Sequence, residues 1–446
     1  MQSEKEKAKR QKKAQVYDAT SKAVVKVAME NAGLSYQRAD YGTCVIEIEK
    51  YISIAFFQSW SDGIEVNLKK SAVSSWTKKL PELLSVVAGG KIDVSAVREK
   101  AAELGLETGG KCYLSFNKDK TVLKHCQNPA LFLEIPRTVR EIHDGAFYFC
   151  QVQAVRFESG SQIKKIGMNA FLHCHHLAKV DFPDGLEEIG SYAFETCDAL
   201  TSAELPDSVR TIGVSAFEDT ALKKVRLPVA LDEIAPRLFK DCSLLESIDI
   251  PKTVRKIGFL AFDQCPELRK IELQPLLESI GSGAFAHCKN LSLVDFPETL
   301  KKIGESAFLK AEKLTAVKIP SSVEKVERQA FRLCTLLSRV EIEEGVKSLD
   351  KDAFEGCTAL CEVKLCDSII ELGDGAFSQC SALKSFHIGK SVGYIGVEVF
   401  CDCVHLEKIT FGNTLSRWKN AVERSLSYNK GVPCKIVQCT DGVAEL

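Results

Sequence analysis

The sequence has no surplus of either charge. Its 59 Lys and Arg residues face 60 Asp and Glu, a formal net charge of −1. A general nucleic-acid binder needs excess cations to neutralise phosphates, so that class is not expected. No apolar run approaches the ~20 residues of a membrane-spanning helix, so no membrane span is expected. Met1-Gln2-Ser3-Glu4-Lys5-Glu6-Lys7 is not followed by the apolar stretch of a secretory signal. The expected location is the cytoplasm. The alternative is a cell-surface or secreted protein whose signal is missing from this sequence. Catalytic motifs are absent too. There is no Gly-x4-Gly-Lys-Ser/Thr phosphate loop and no Gly-x-Ser-x-Gly elbow. His173-Cys174-His175-His176 is the densest group of possible metal ligands, but no second Cys/His group lies at finger-like spacing. No catalytic residue, cofactor or metal is expected, and the chain is read as a non-enzyme.

What the chain does have is a phenylalanine that keeps returning. It occupies positions 147, 171, 194, 217, 239, 262, 285, 308, 331, 354, 377 and 400, with gaps of 24, 23, 23 and 22 and then 23 throughout. A single globular core imposes no such period, whereas a solenoid requires an equivalent residue once per turn. Other columns keep the same step. Ala precedes the Phe in ten of the twelve units, replaced by Leu238 and Val399. An aliphatic lies five before it in every unit, as in Ile189 or Ile257, and Gly lies four before it in eight units. Cys follows three after it in ten units, from Cys150 to Cys403, and Leu follows six after it in ten. Pro stands eleven before it in seven units, Pro206 and Pro251 among them.

Each column has a physical reading. In Leu200-Thr201-Ser202-Ala203-Glu204-Leu205-Pro206 the apolar residues alternate with polar ones, which is a short strand with one buried face. Pro206 ends it, because Pro donates nothing to a ladder. Val209-Arg210-Thr211-Ile212-Gly213 buries Val and Ile and turns at Gly. The Ala-Phe pair then begins a tight turn or one turn of helix. Ala is small where coils approach, and Phe fills the space between them. The regular Cys column reads as a set of inward-pointing small hydrophobes. One coil cannot bury its own apolar face, so the array is the folding unit.

Units such as "LPDSVRTIGVSAFEDTALKKVRLP" and "IPKTVRKIGFLAFDQCPELRKIELQ" resemble the BspA-type leucine-rich repeats over residues ~130–412. The run "GNTLSRWKNAVERSLSYNKGVPCKIVQCTDG" is similar to the closing segment of such proteins. The resemblance implies an α/β-type, right-handed leucine-rich-repeat solenoid of short β-strands with turns or short helices. It also implies a binding or adhesion role.

Four segments follow from the order of the chain. Residues 1–13 are a charged leader. Residues 14–109 lack the repeat and read as a small α+β domain. Its helices are expected at Ala14 to Ala32, Ser74 to Val87 and Val94 to Leu104, around a three-stranded antiparallel meander between Thr43 and Leu68. Residues 110–135 supply cap strands, twelve units of ~23 residues follow, and residues 411–446 close the far end. Whether Cys434 and Cys439 pair is left open by their spacing. The strand positions that alternate with buried ones form the candidate protein-binding face: Lys179, Asp181, Lys224, Arg226, Asp249, Lys270, Glu272, Leu293, Asp295, Lys318, Arg339, Glu341, Lys364 and His387. The expected function is rigid display of that face to an unidentified protein partner. The rivals are an exported adhesin and an enzymatic or regulatory N-terminal domain that the repeats target.

Overall fold

The computed structural model describes residues 113–127, 132–422 and 430–446, together with three strands nearer the N-terminus. Those strands, Thr43–Ile48, Ile52–Phe57 and Gly63–Leu68, pair antiparallel in chain order, with Ile48 opposite Ile52 and Phe57 opposite Gly63. Their β-branched and aromatic content favours the pleated conformation. The leader and the three helices expected before residue 109 lie outside the described residues. The chain divides into two compact units. One comprises residues 1–115, 125–133 and 149–152, and the other residues 116–124, 134–148 and 153–446.

The second unit is a stack of about twelve coils, each contributing two short strands. One row consists of two-residue strands ending on the aliphatic that lies five before the Phe. Glu141–Ile142, Lys165–Ile166, Glu188–Ile189 and Thr211–Ile212 pair parallel in one sheet. An eight-stranded sheet continues the row from Glu233–Ile234 to Tyr394–Ile395. The other row follows the Leu after each Phe, with strands of two to four residues, several longer than those of the first row, and at Leu293 only an isolated bridge to Lys270. Ser202–Glu204 lies beside Lys224–Arg226, Ala316–Ile319 beside Arg339–Ile342, and Ser385–Ile388 beside Lys408–Phe411. Sequence alone pointed to the longer strands. The two-residue strands are too short for alternation to show, yet they form the more continuous sheet.

Around each Phe the chain makes a turn with a repeated backbone signature. The residues two before and two after the Phe both have left-handed φ in all twelve turns, as at Leu260 (52°) and Gln264 (59°) around Phe262. Only Gly145, Gly283, Gly356 and Gly375 among these positions are glycine. Two left-handed residues cannot continue a right-handed helix, so the turns hold no helix among the described residues. The α/β expectation is corrected accordingly to stacked β-coils. A left-handed non-glycine residue costs ~1–2 kcal/mol. Hydrogen bonds to the next coil offset that cost: Leu260, Phe262 and Gln264 donate their N–H groups to Ser282, Ala284 and Ala286 at 2.9, 2.8 and 2.9 Å.

Three inward columns hold the coils together. The twelve Phe rings stack with centroids 4.7–6.3 Å apart and planes within 18°, and none is more than 1% exposed. The column cysteines are buried. Nine of them also donate from Sγ to the Phe carbonyl of the preceding coil, at 3.0–3.4 Å. The Gly column answers to close approach. A Cβ on Gly213 would lie 2.3 Å from Ser191 N, and one on Gly281 2.7 Å from Gly258 C. The last coil is covered by helix α1 (Leu415–Ala421), whose N-cap Thr414 accepts from Arg417 N. Trp418 packs edge-on to Phe411 at 5.6 Å. Ile436–Gln438 then pairs parallel to Lys408–Phe411, and Val443–Glu445 folds back antiparallel. Cys434 and Cys439 are both free thiols.

Candidate protein-binding face

This row buries Ala203, Val225, Ile248, Ile271 and Val317, which point inward. Their neighbours form two outward columns. Lys179, Lys224, Lys270, Leu293 and Arg339 stand in one. Asp181, Arg226, Asp249, Glu272, Asp295, Lys318, Glu341, Lys364 and His387 stand in the other. All are exposed except Glu341, which is half-buried.

Ion pairing divides this face into occupied ends and an open middle. Lys179 pairs with Asp181 at 2.9 Å. Arg226 grips both oxygens of Asp207 at 2.8 Å and the Leu205 carbonyl at 2.6 Å, and it holds the Asp207 carboxyl below its usual range. Further along, Lys318 pairs with Glu343, Lys364 with Glu341 at 2.8 Å, and Arg339 with Glu341 and Glu362 at 3.6 Å. Hydrogen bonds from Lys364 and Lys318 lower the pKa of Glu341 and Glu343. His387 Nδ1 meets Thr410 Oγ1 at 2.8 Å. Between these groups, Lys224, Asp249, Lys270, Glu272 and Asp295 make no ion pair among the described residues, and Leu293 beside them is 47% exposed. Sequence reasoning treated Lys224 and Arg226 alike, whereas the structure commits Arg226 to Asp207.

Two open clefts lie at the carboxyl ends of the longer strands. One, of about 510 Å³, is lined by Phe182, Asp184, Glu204, Asp207 and Arg226. The other, of about 620 Å³, is lined by Glu341, Glu343, Glu344, Lys364, Asp367 and His387, where the Pro column has given way to Glu343 and Cys366.

On the turn side, the histidine cluster is absorbed into packing. Cys174 Sγ donates to Phe147 O at 3.0 Å, and His175 Nδ1 meets Asp198 at 2.7 Å. Burial, then His175, depresses the pKa of His173 and His176. No group of three or more His, Cys, Asp or Glu among the described residues could hold a metal. No helix among them is long and apolar enough to cross a membrane. What sequence reasoning missed on this side is a buried charge. Glu218 reaches Arg237 at 2.6 Å and Lys240 at 3.4 Å. Its only advance signal was the 22-residue gap between Phe217 and Phe239.

Parallel coils with inward ladders of Leu, Ile, Phe and Cys define a leucine-rich-repeat β-solenoid. Residues 121–244, 232–337 and 306–426 match the BspA type leucine-rich repeat region, and the chain belongs to that family. It is similar to the crystal structure of a leucine-rich repeat protein from Bacteroides ovatus, at 25% identity and a TM-score of 0.58, over 68% of this chain and 87% of that one. A leucine rich cell surface protein from Faecalibacterium prausnitzii matches at 22% identity and a TM-score of 0.43, over 75% of this chain and 94% of that one. No curated protein matches the chain.

Proposed function

We propose that the chain is a non-enzymatic protein-interaction module, and that its partner docks on the longer-strand row over Lys224, Asp249, Lys270, Glu272, Leu293 and Asp295. The open middle of the face carries this reading. Its charges are uncommitted, so a partner pairs with them without first breaking an ion pair, while the flanking charges are already satisfied. The coils that carry Asp249, Lys270, Glu272, Leu293 and Asp295 are held by their buried columns, so little ordering entropy is lost on docking there. The order of charges sets specificity and on-rate more than raw affinity. Coils of parallel strands are expected to wind right-handed, as such crossovers almost always do.

The test compares two double reversals. Lys224→Glu with Lys270→Glu changes the open middle. Lys301→Glu with Lys302→Glu changes the two-residue strand row, where Lys301 pairs with Glu278 at 2.9 Å. A partner isolated on the immobilised wild-type chain should bind the first variant at least about tenfold more weakly, a loss of ~1.4 kcal/mol. It should bind the second variant normally, and neither melting temperature should move appreciably. Loss of binding in the second variant with retention in the first places the partner elsewhere.

A further inference from the structure

The two-residue strand row contains one break among the described strands. The repeat from Phe217 to Phe239 has 22 residues. Leu222 follows Phe217 by five positions, where Leu200 follows Phe194 by six, so the missing residue belongs to the turn after the Phe. Thr220 replaces the column Cys there. Its hydroxyl donates to Phe217 O of its own coil at 3.0 Å, while Cys242 Sγ lies 3.2 Å away.

Both strand rows part at this coil. Thr211–Ile212 ends one sheet and Glu233–Ile234 begins the next, the single break in the two-residue row among the described strands. In the longer row Lys224–Arg226 pairs back to Ser202–Glu204 and Ser247–Ile248 pairs on to Lys270–Ile271, with no ladder between the two pairs; that row is interrupted at other coils too, but only here does the break coincide with one in the two-residue row. The backbone bond that crosses there, Glu246 N to Lys223 O, is 3.4 Å long. The Phe217 and Phe239 rings stand 6.1 Å apart, against 5.3 Å for Phe194 and Phe217, a spacing exceeded in the stack only at Phe377 and Phe400 near its end (6.3 Å). Ile212 and Val225 are 7% and 8% exposed, whereas Ile189 is 1% exposed.

The turn side stays joined. Ser215 N donates to Pro236 O, Phe217 N to Leu238 O and Asp219 N to Lys240 O, at 3.1, 3.1 and 2.8 Å. Glu218, with its side chain 5% exposed, crosses to Arg237 and Lys240. Its Oε2 is buried without a partner, as are Ser215 Oγ and Arg237 Nε. A buried polar network that is only partly satisfied is costly. Local opening occurs first where backbone bonds and buried contacts are fewest.

We infer that this coil is a joint. The coils up to Phe217 and those from Phe239 onward are two stiff segments. They open and close against each other on the strand side, pivoting on the turn-side backbone bonds, with Glu218 as the strap across the pivot. Lys224 and Asp249 stand on opposite sides of the joint, but the joint follows from the broken ladders alone and does not depend on the binding proposal.

Spin-label distances in the full chain test it. Labels carried on encoded ketone side chains at positions 211 and 302 span four coil steps across the joint, about 20 Å at ~4.8 Å per coil. Labels at positions 302 and 394 span four steps within the unbroken eight-stranded sheet. The distance distribution across the joint should be about twice as broad as the control. Glu218→Gln should broaden it further and leave the control unchanged. Inserting one Ala after Thr220, which restores 23 residues, should narrow it to the control width. Should the insertion fail to fold, the wild-type comparison still decides: equal widths for the two pairs overturn the joint.

Discussion

Phe262 is held by its two left-handed neighbours, Leu260 and Gln264, whose N–H groups aim at the next coil. That arrangement was not legible in the sequence, because Leu, Gln, Arg and Tyr occupy the left-handed positions as readily as Gly does. Contacts between coils impose the conformation, and residue propensity does not reveal it. The Cys column was legible as inward and small, but its bond to the preceding Phe carbonyl was not, since that carbonyl belongs to a residue 26 positions away in most coils. The two kinds of glycine-like position respond oppositely to mutation. Gln264→Gly removes a Cβ from an exposed left-handed residue. The relieved strain of ~1 kcal/mol or more outweighs or balances the entropy Gly adds to the unfolded chain. Gly281→Ala places a methyl 2.7 Å from Gly258 C and Phe259 N. Thermal unfolding should show Gln264→Gly unchanged or raised and Gly281→Ala lowered, and the opposite order would contradict this division.

At the scale of elements, legibility followed strand length. Ser202–Glu204 and its equivalents show alternation, so their inward and outward residues were readable. Thr211–Ile212 and its equivalents are too short to show it, and were read as a stretch that turns at Gly. The helix allowed by the resemblance fails for a local reason: Arg237 and Asp241, or Leu260 and Gln264, lie on the wrong side of φ to extend one. The Phe stack is the element that spans every coil. Phe262 is fully buried between the rings of Phe239 and Phe285, at 5.6 and 5.3 Å. Phe262→Ala should therefore cost ~3–5 kcal/mol in chemical denaturation, the usual range for truncating a buried Phe. The exposed Lys270→Ala should stay within ~0.5 kcal/mol. Similar losses for both would remove the Phe stack as the source of cohesion.

For the molecule as a whole, the repeat period fixed which residues face in and which face out. It carried no information about which outward charges are already paired. Arg226 finds Asp207, and Lys364 finds Glu341, across coil boundaries that depend on side-chain conformation. The open middle of the face therefore emerged only in three dimensions, as did the strap at Glu218. All of this presumes one register running through the array. Peptide-resolved alkylation of the native chain near pH 8 measures that register at nine points. Cys361 is exposed. Burial pushes the thiols of Cys242, Cys357 and Cys403 up to about 12, and it raises those of Cys197, Cys265, Cys288, Cys334 and Cys380 as well. Buried protonated thiols are inert, because the thiolate is the nucleophile. Cys361 should label within minutes, while Cys174 and these eight column cysteines should label only after denaturant is added. Labelling of several column cysteines at the rate of Cys361 would put the column in solvent and contradict the register.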